Sequence, residues 1–519
     1  MNLALVNGVI YTFNPDNPVA SSMAIKCGRI VYIGDDDMKA LKLSNSSRII
    51  DLNGKVVLPT FVDAHIHLSS LALSHLWLDL RHTRSIEELK EIIKRVASKT
   101  VTPWILGRGW DQERFIEKRM PTRWDIDEAV PHKPVLLIRV CGHIAVANTK
   151  ALELCGLLGK GRDMYPLVDV VDGKITGILR EQALDHILKY VPKPRFNLYL
   201  KLLSQTLNEL LSYGIGLVSS MCVENGEFRA LQKLNQRSQL KVKVRLYFNS
   251  DYTSHLVKLG VISKLGDVKL RIMGIKTFVD GSFGGRTAAL REPYSDDPLN
   301  KGELLLTHDN ILKLFKRVAG KGLDIAIHCI GDKAMEETIL ALKKVNNSIR
   351  SKVRIEHASL TPPDIISELR NYKPKALVVQ PHFIVSDWWI EQRLGPRVKY
   401  AYAFKSLIES GLLLAGSSDA PVEPANPWLS IRATVDRSHE ALTLNEALTL
   451  YTYGGRVALS EEYPYLSVGA PADIQIYNKD PFKVPIKLLN KLKPQAVIME
   501  GKTVYGVIWE SKKKEASSR

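Results

Sequence analysis

The chain has 519 residues, 45% of them hydrophobic and 24% charged, a balance that supports a large buried core and excludes a disordered polyelectrolyte. Its formal charge of +17 is spread along the sequence, with one tight run at Lys512, Lys513 and Lys514. No zinc finger, aromatic RNA-binding signature or basic-region heptad accompanies the charge, so a solvated surface is expected and a specific nucleic-acid partner is not.

The first residues lack the basic start and long apolar stretch of a secretory signal. No apolar run reaches the roughly 20 residues of a membrane helix, so a soluble cytoplasmic protein is expected and a membrane partner is not. Cys27, Cys141, Cys155, Cys222 and Cys329 are odd in number, scattered and without a C-x-x-C pair. Ordinary buried thiols are expected, and neither a disulfide framework nor a thiolate metal site.

Residues 1–58 read as short apolar bursts punctuated by Gly8, Asn14, Pro15, Gly28, Gly34 and Gly54, the rhythm of strands and turns. The same texture returns late, where Ile474 to Tyr477 and Ala496 to Met499 lead through Glu500-Gly501-Lys502 into a further strand. Residues 1–58 and 460–510 are therefore expected to pack together as a small β-sandwich, followed by a basic tail over 511–519.

From Leu58 to about Tyr453, apolar strand-like runs alternate with helical segments, the pattern of a parallel sheet with crossover helices. Candidate strands end near His67, Ser220, Phe248, Lys276, His328, His357, Gln380 and Ser417. Eight is the number that closes a (β/α)8 TIM-like barrel, so the fold class is α/β with the barrel over 59–68 and 194–459. Asp309 to Ala319 illustrates the helices, with Ile311, Leu312, Leu314, Phe315 and Val318 before a stop at Gly320 and Gly322.

Residues 69–193 are far too long for one βα loop and are expected to form an inserted subdomain, a lid or specificity element over the pocket. Ser85-Ile86-Glu87-Glu88 supplies a capping-box start for a helix running toward Lys99.

The chemistry-bearing residues cluster at the strand ends. His65 and His67 are two apart, so in a strand both imidazoles face one side and can meet one ion. A lone His-x-His pair is as common without metal as with it. The same placement recurs at His328 and His357, and four histidines at three strand ends are hard to explain as isolated polar residues. Asp419 follows the eighth strand, placed either to cap a turn or to bind metal and move protons. Lys276 ends another strand, where a surface position or an ion pair is the alternative to a functional one.

Gly107-Arg108-Gly109-Trp110-Asp111, Gly142-His143, Asn148, Asp280-Gly281-Ser282, Thr287-Ala288-Ala289-Leu290, Pro293-Tyr294-Ser295-Asp296, His328-Cys329-Ile330-Gly331-Asp332, Gln380-Pro381 and Ser418-Asp419-Ala420-Pro421 complete the pattern. With them the sequence resembles the amidohydrolase superfamily over nearly its whole length, and specifically the exoenzyme-regulatory and N-substituted formamide deformylase-like group (amidohydrolase family 3).

The resemblance implies a metal-dependent hydrolase of non-peptide carbon-nitrogen bonds acting on a small-molecule amide or formamide. Its divalent metal, zinc in the first instance, would comprise one or two ions held by His65, His67, Lys276, His328, His357 and Asp419. Lys276 would be carbamylated as a bridging ligand, and Asp419 would serve as general base and then acid. The resemblance also implies that His143 stabilises the substrate oxygen, with a structural hydrogen-bonding role weighed equally, and that Trp110, Asp111, Arg286 and Gln380 line the pocket. A homodimer stays open.

Two departures bear on the substrate: Val218-Ser219-Ser220-Met221-Cys222 stands where relatives often place an aspartate, and Cys141 where an acid is common. The alternative is a regulatory or ligand-binding protein that keeps the fold with little catalysis.

Overall fold

A computed structural model of the chain describes residues 2–45, 48–99, 103–158, 168–192, 194–508 and 511–512. It divides into two compact units, one comprising Met1–Ser69, Leu203–Phe283 and Ala288–Arg519, the other Ser70–Leu202 and Gly284–Thr287.

The first unit is built on eight parallel strands: β1 (Phe61–Ile66), β2 (Ile215–Val223), β3 (Lys243–Asn249), β4 (Leu270–Phe278), β5 (Asp324–Cys329), β6 (Val353–His357), β7 (Ala376–Val379) and β8 (Leu414–Gly416). They are hydrogen-bonded in sequence order from β1 to β8. These are the eight apolar runs visible in the sequence. Strands of a parallel barrel are covered on both faces, so they read as continuous hydrophobic segments without alternation. Every residue of β1, β5 and β6 is accordingly buried.

Among the described residues no ladder joins β8 to β1, because β8 is short; the pairing begins just beyond it. There the Asp419 N–H donates to the His65 carbonyl at 2.8 Å, and the His67 N–H donates to the Ala420 carbonyl at 2.9 Å. The barrel is thus nearly closed, and its seam inserts Asp419 between the two histidines of β1.

Strands from both chain ends form two further sheets in this unit. One runs in the order Ser511–Lys512, Arg48–Asp51, Leu3–Val6, Ser22–Lys26 and Arg29–Gly34; the other in the order Lys502–Gly506, Ala496–Met499, Ile474–Tyr477, Val56–Pro59, Val9–Tyr11 and Val19–Ala20. Leu3, Met23 and Ile25 of the first share one apolar cluster with Ile10, Val57, Ile474 and Ile498 of the second. Asn7, at φ 56, makes the turn between the first two strands. The segment expected as a basic tail begins as a strand, with Lys512 opposite Arg48; residues 513–519 lie outside the described residues.

The second unit has a six-stranded mixed sheet with Ile105–Trp110, Val135–Arg139 and Ile144–Ala147 at its centre. Alternation puts Leu136, Ile138, Ala145 and Ala147 into one apolar cluster, and Val135, Leu137, Ile144 and Val146 into another, as two-residue periodicity requires. Helix Ile86–Ala97 covers the second cluster through Ile86, Leu89 and Ile93. Ser85 caps it by accepting the Glu88 N–H at 3.0 Å. The Glu88 side chain reaches back to the Arg84 N–H at 2.7 Å, one residue earlier than a regular capping box. Helix His308–Val318 of the first unit likewise lies where the apolar periodicity put it, and passes through a short 3₁₀ turn to Gly322 at φ 95.

Candidate metal centre

The carboxyl ends of the barrel strands bring the predicted histidines together. His65 lies in β1, His67 just past it, His328 in β5 and His357 at the end of β6. Ring centroids are 5.4 Å apart for His65 and His67, 5.1 Å for His65 and His357, and 4.2 Å for His357 and His328. Asp419 Oδ1 stands 3.3 Å from His65 Nε2 and 3.1 Å from His67 Nε2. Among the described residues, His65, His67 and Asp419 form a group whose ligand atoms all lie within 4.8 Å of one another.

Which nitrogen of each ring faces the centre is decided by its other partner. His65 Nδ1 is 2.6 Å from Glu356 Oε2, and Arg354 holds the same carboxylate through Nε at 2.5 Å and Nη2 at 2.9 Å. His357 Nδ1 is 2.8 Å from Gln380 Oε1. The Gln380 amide donates to Ser417 Oγ at 3.0 Å, and that hydroxyl donates to the Val379 carbonyl at 2.9 Å, which fixes the amide's orientation. His328 Nε2 is 2.8 Å from the Gly281 carbonyl. Carboxylate, amide oxygen and carbonyl are acceptors only, so each ring donates its N–H outward and keeps a lone pair on the opposite nitrogen. Neutral imidazoles oriented by such acceptors are the form that ligates metal.

Among the described residues, the buried His65 Nε2, Asp419 Oδ1 and Lys276 Nζ have no hydrogen-bond partner. The Asp419 approaches therefore converge without hydrogen-bond geometry. Leaving buried polar atoms unsatisfied is costly, and a divalent cation would satisfy the lone pairs of His65 Nε2 and Asp419 Oδ1. The donor set, imidazole with carboxylate, suits zinc and related transition metals.

Electrostatics favour the neutral ring at His67 and His357, whereas burial at His65 is outweighed by the Asp419 and Glu356 carboxylates, which raise that imidazole above its ordinary value. Burial alone would lift the Asp419 carboxyl, but His65 and His67 outweigh it and hold the group well below the ordinary carboxylate range. Burial, then the Lys276 charge, push the His357 imidazole well below its ordinary value. Burial likewise pulls the Lys276 ammonium down, against the attraction of Glu356. Lys276 Nζ lies 4.5 Å from the centre of the Phe278 ring. Backbone strain collects here too: Cys222, His357, Ala358 and Asp419 have φ of 53, 74, 45 and 56, a left-handed region that costs about 1 to 3 kcal/mol for side-chain-bearing residues and gathers at functional sites.

The weaker pocket expectations fare differently. Gln380 has both ends of its amide engaged, by His357 and Ser417. Trp110 is fully buried in the second unit, its indole N–H on the Leu137 carbonyl at 2.8 Å. Asp111 is buried and pairs with Arg139 at 2.8 Å. Trp110 ends its strand inside the sheet, and Asp111 follows it as the cap of a short 3₁₀ turn, its side chain accepting the Glu113 N–H. Arg286 is half-buried with φ 55. His143 Nδ1 lies 3.0 Å from Glu181 Oε2, a carboxylate that sequence reasoning overlooked.

Also overlooked were Arg354, Glu356 and the pair His382 and Glu423. Arg354 and Glu356 carried a signal, being two charged residues on one face of an otherwise apolar strand. Of the thiols, Cys155 and Cys329 are buried as expected, whereas Cys27 is exposed and Cys141 and Cys222 are intermediate.

Comparison with known proteins agrees with this geometry. A family model described as "Amidohydrolase family" matches residues 48–505. An uncharacterized metal-dependent hydrolase from Pyrococcus furiosus, known by crystal structure, is 39% identical with a TM-score of 0.77, covering 93% of this chain and 100% of its own. YtcJ of Bacillus subtilis (strain 168) is 31% identical over 96% of this chain and 98% of its own. The N-substituted formamide deformylase of Arthrobacter pascens is 22% identical over 96% and 97%, respectively.

Proposed function

This chain belongs to the amidohydrolase family, as a metal-dependent hydrolase of that superfamily, and we propose that it hydrolyses carbon-nitrogen bonds other than peptide bonds in small amides, N-substituted formamides or related substrates. The observation that carries the chemistry is the unsatisfied Asp419 Oδ1 set between His65 Nε2 and His67 Nε2. The similarity to the Arthrobacter deformylase supports the substrate class.

His65, His67, His328, His357 and Asp419 would hold the metal, zinc by the donor types, with Lys276 as a carbamylated bridge if two ions bind. Carbamylation needs a neutral amine, and a buried, unpartnered Lys276 Nζ favours that form. A bound divalent cation supplies Lewis acidity, polarising the substrate carbonyl and lowering the pKa of water to about 7.

The chain's own residues do the rest. The Asp419 carboxylate takes the proton of the attacking water and returns it to the departing nitrogen. Glu356, fixed by Arg354, keeps His65 Nε2 facing inward, and Gln380 does the same for His357. Held acceptors of this kind remove the reorganisation a mobile ring would need.

Purified protein should contain stoichiometric transition metal, and chelation should abolish hydrolysis of an amide and formamide panel until metal is restored. His65→Ala combined with His67→Ala should lose the metal. Asp419→Asn should fold but lose most turnover, by about 100-fold or more. A metal-free wild type with full activity would refute the assignment.

A further inference from the structure

The same end of the barrel carries a second imidazole-carboxylate pair. His382 follows Gln380 and Pro381 beyond β7, and Glu423 follows Asp419 by four residues beyond β8. His382 Nδ1 is hydrogen-bonded to Glu423 Oε2; the side chains are 17% and 6% exposed, so the carboxylate is the buried partner and the ring the outer one. Both are attached to segments that hold the metal donors. Gln380 is fastened to His357, and the Val422 N–H donates to the Asp419 carbonyl at 2.9 Å.

A carboxylate at Nδ1 takes that nitrogen's proton as its donor, so in the neutral ring Nε2 is an acceptor. Among the described residues Nε2 has no hydrogen-bond partner. A lone pair at the carboxyl end of the barrel, where the candidate metal donors also lie, cannot favour a substrate carbonyl oxygen, which is itself an acceptor. An amide offers a single kind of donor, its N–H.

We propose that His382, oriented by Glu423, contacts the nitrogen of the bond to be broken, with Nε2 accepting the substrate's amide N–H. The site then takes primary and secondary amides or formamides in preference to fully N-substituted ones. This rests on the hydrolase reading above and narrows its substrate class. Glu423 is a positioning residue, acting through the tautomer and orientation of His382.

The test compares metal-loaded wild type, His382→Phe, His382→Asn and Glu423→Gln on 4-nitroformanilide and on its N-methyl counterpart, both of which release a coloured aniline. Removing one hydrogen bond should lower kcat/KM for the N–H substrate about tenfold, leave the N-methyl substrate unchanged, and leave metal content unchanged by elemental analysis. Glu423→Gln should give a smaller loss in the same direction. Should His382→Phe fail to fold, the other two variants give the same comparison.

An equal fall on both substrates, or no fall on either, overturns the proposal while the hydrolase reading stands. A metal-loaded wild type that hydrolyses neither compound overturns the two together.

Discussion

Replacing Glu356 by glutamine tests how the metal centre is held. The carboxylate is fully buried and accepts three N–H groups, from His65 Nδ1 at 2.6 Å and from Arg354 at 2.5 and 2.9 Å. Burial would raise its pKa, yet the Arg354 charge and the His65 bond hold it down to about 2 from an ordinary 4.5. At about 1.4 kcal/mol per unit, that is roughly 3 kcal/mol in favour of the ionised form.

Glutamine keeps the shape but brings its own N–H2 against these donors, so at least one loses its acceptor and the Arg354 charge is left uncompensated. Removing one partner of a buried pair costs about 3 to 5 kcal/mol. Losing the acceptor that orients a ligand histidine weakens metal binding by about 10- to 100-fold. Urea unfolding of metal-free protein reads the first effect, and competition with a chromophoric chelator reads the second. A Glu356→Gln protein with wild-type midpoint and wild-type metal affinity would refute the account.

Gly274→Ala should destabilise the fold by about 2 to 3 kcal/mol, because the added Cβ would fall 1.7 Å from the Asp324 carbonyl oxygen and force β4 from β5; an unchanged Tm would contradict this. Gln380→Leu should weaken metal binding by about tenfold through the freed His357 ring, measured by the same chelator competition. Burial lifts the Glu227 carboxyl to about 7 despite the Ser220 hydroxyl. Its folded value lies above its ordinary one, so its contribution is present below about pH 4.5 and is lost as pH rises through about 7. The urea midpoint of Glu227→Gln should therefore gain on wild type between pH 5 and 8, and a pH-independent gap would count against a raised carboxyl. The depressed Glu356 has the opposite sign: its contribution is present above about pH 4.5 and is lost as pH falls toward about 2, so Arg354→Met should narrow its stability gap to wild type in acid.

The barrel and the histidines at its carboxyl end were legible in the sequence for a local reason. A strand buried on both faces must be an apolar run, and a polar residue ending it marks the mouth of the barrel, so Ile66, Ala326 and Val353 announced their strands and His67, His328 and His357 the strand ends. The two-residue period likewise placed His65 and His67 on one side. Sequence alone could not assign what faces what across the closure.

Asp419 lies between His65 and His67 because the β8–β1 seam is hydrogen-bonded beyond β8, a register no local pattern encodes. The nitrogen each ring turns inward depends on Glu356, Gln380 and Gly281, between 23 and 291 residues away. Trp110 and Asp111, read as pocket residues from their motif, are buried in the second unit, where they bond the Leu137 carbonyl and Arg139. Periodicity determines which side of its own element a residue occupies; only the packed chain supplies the partner that sets its proton, its charge and therefore its role.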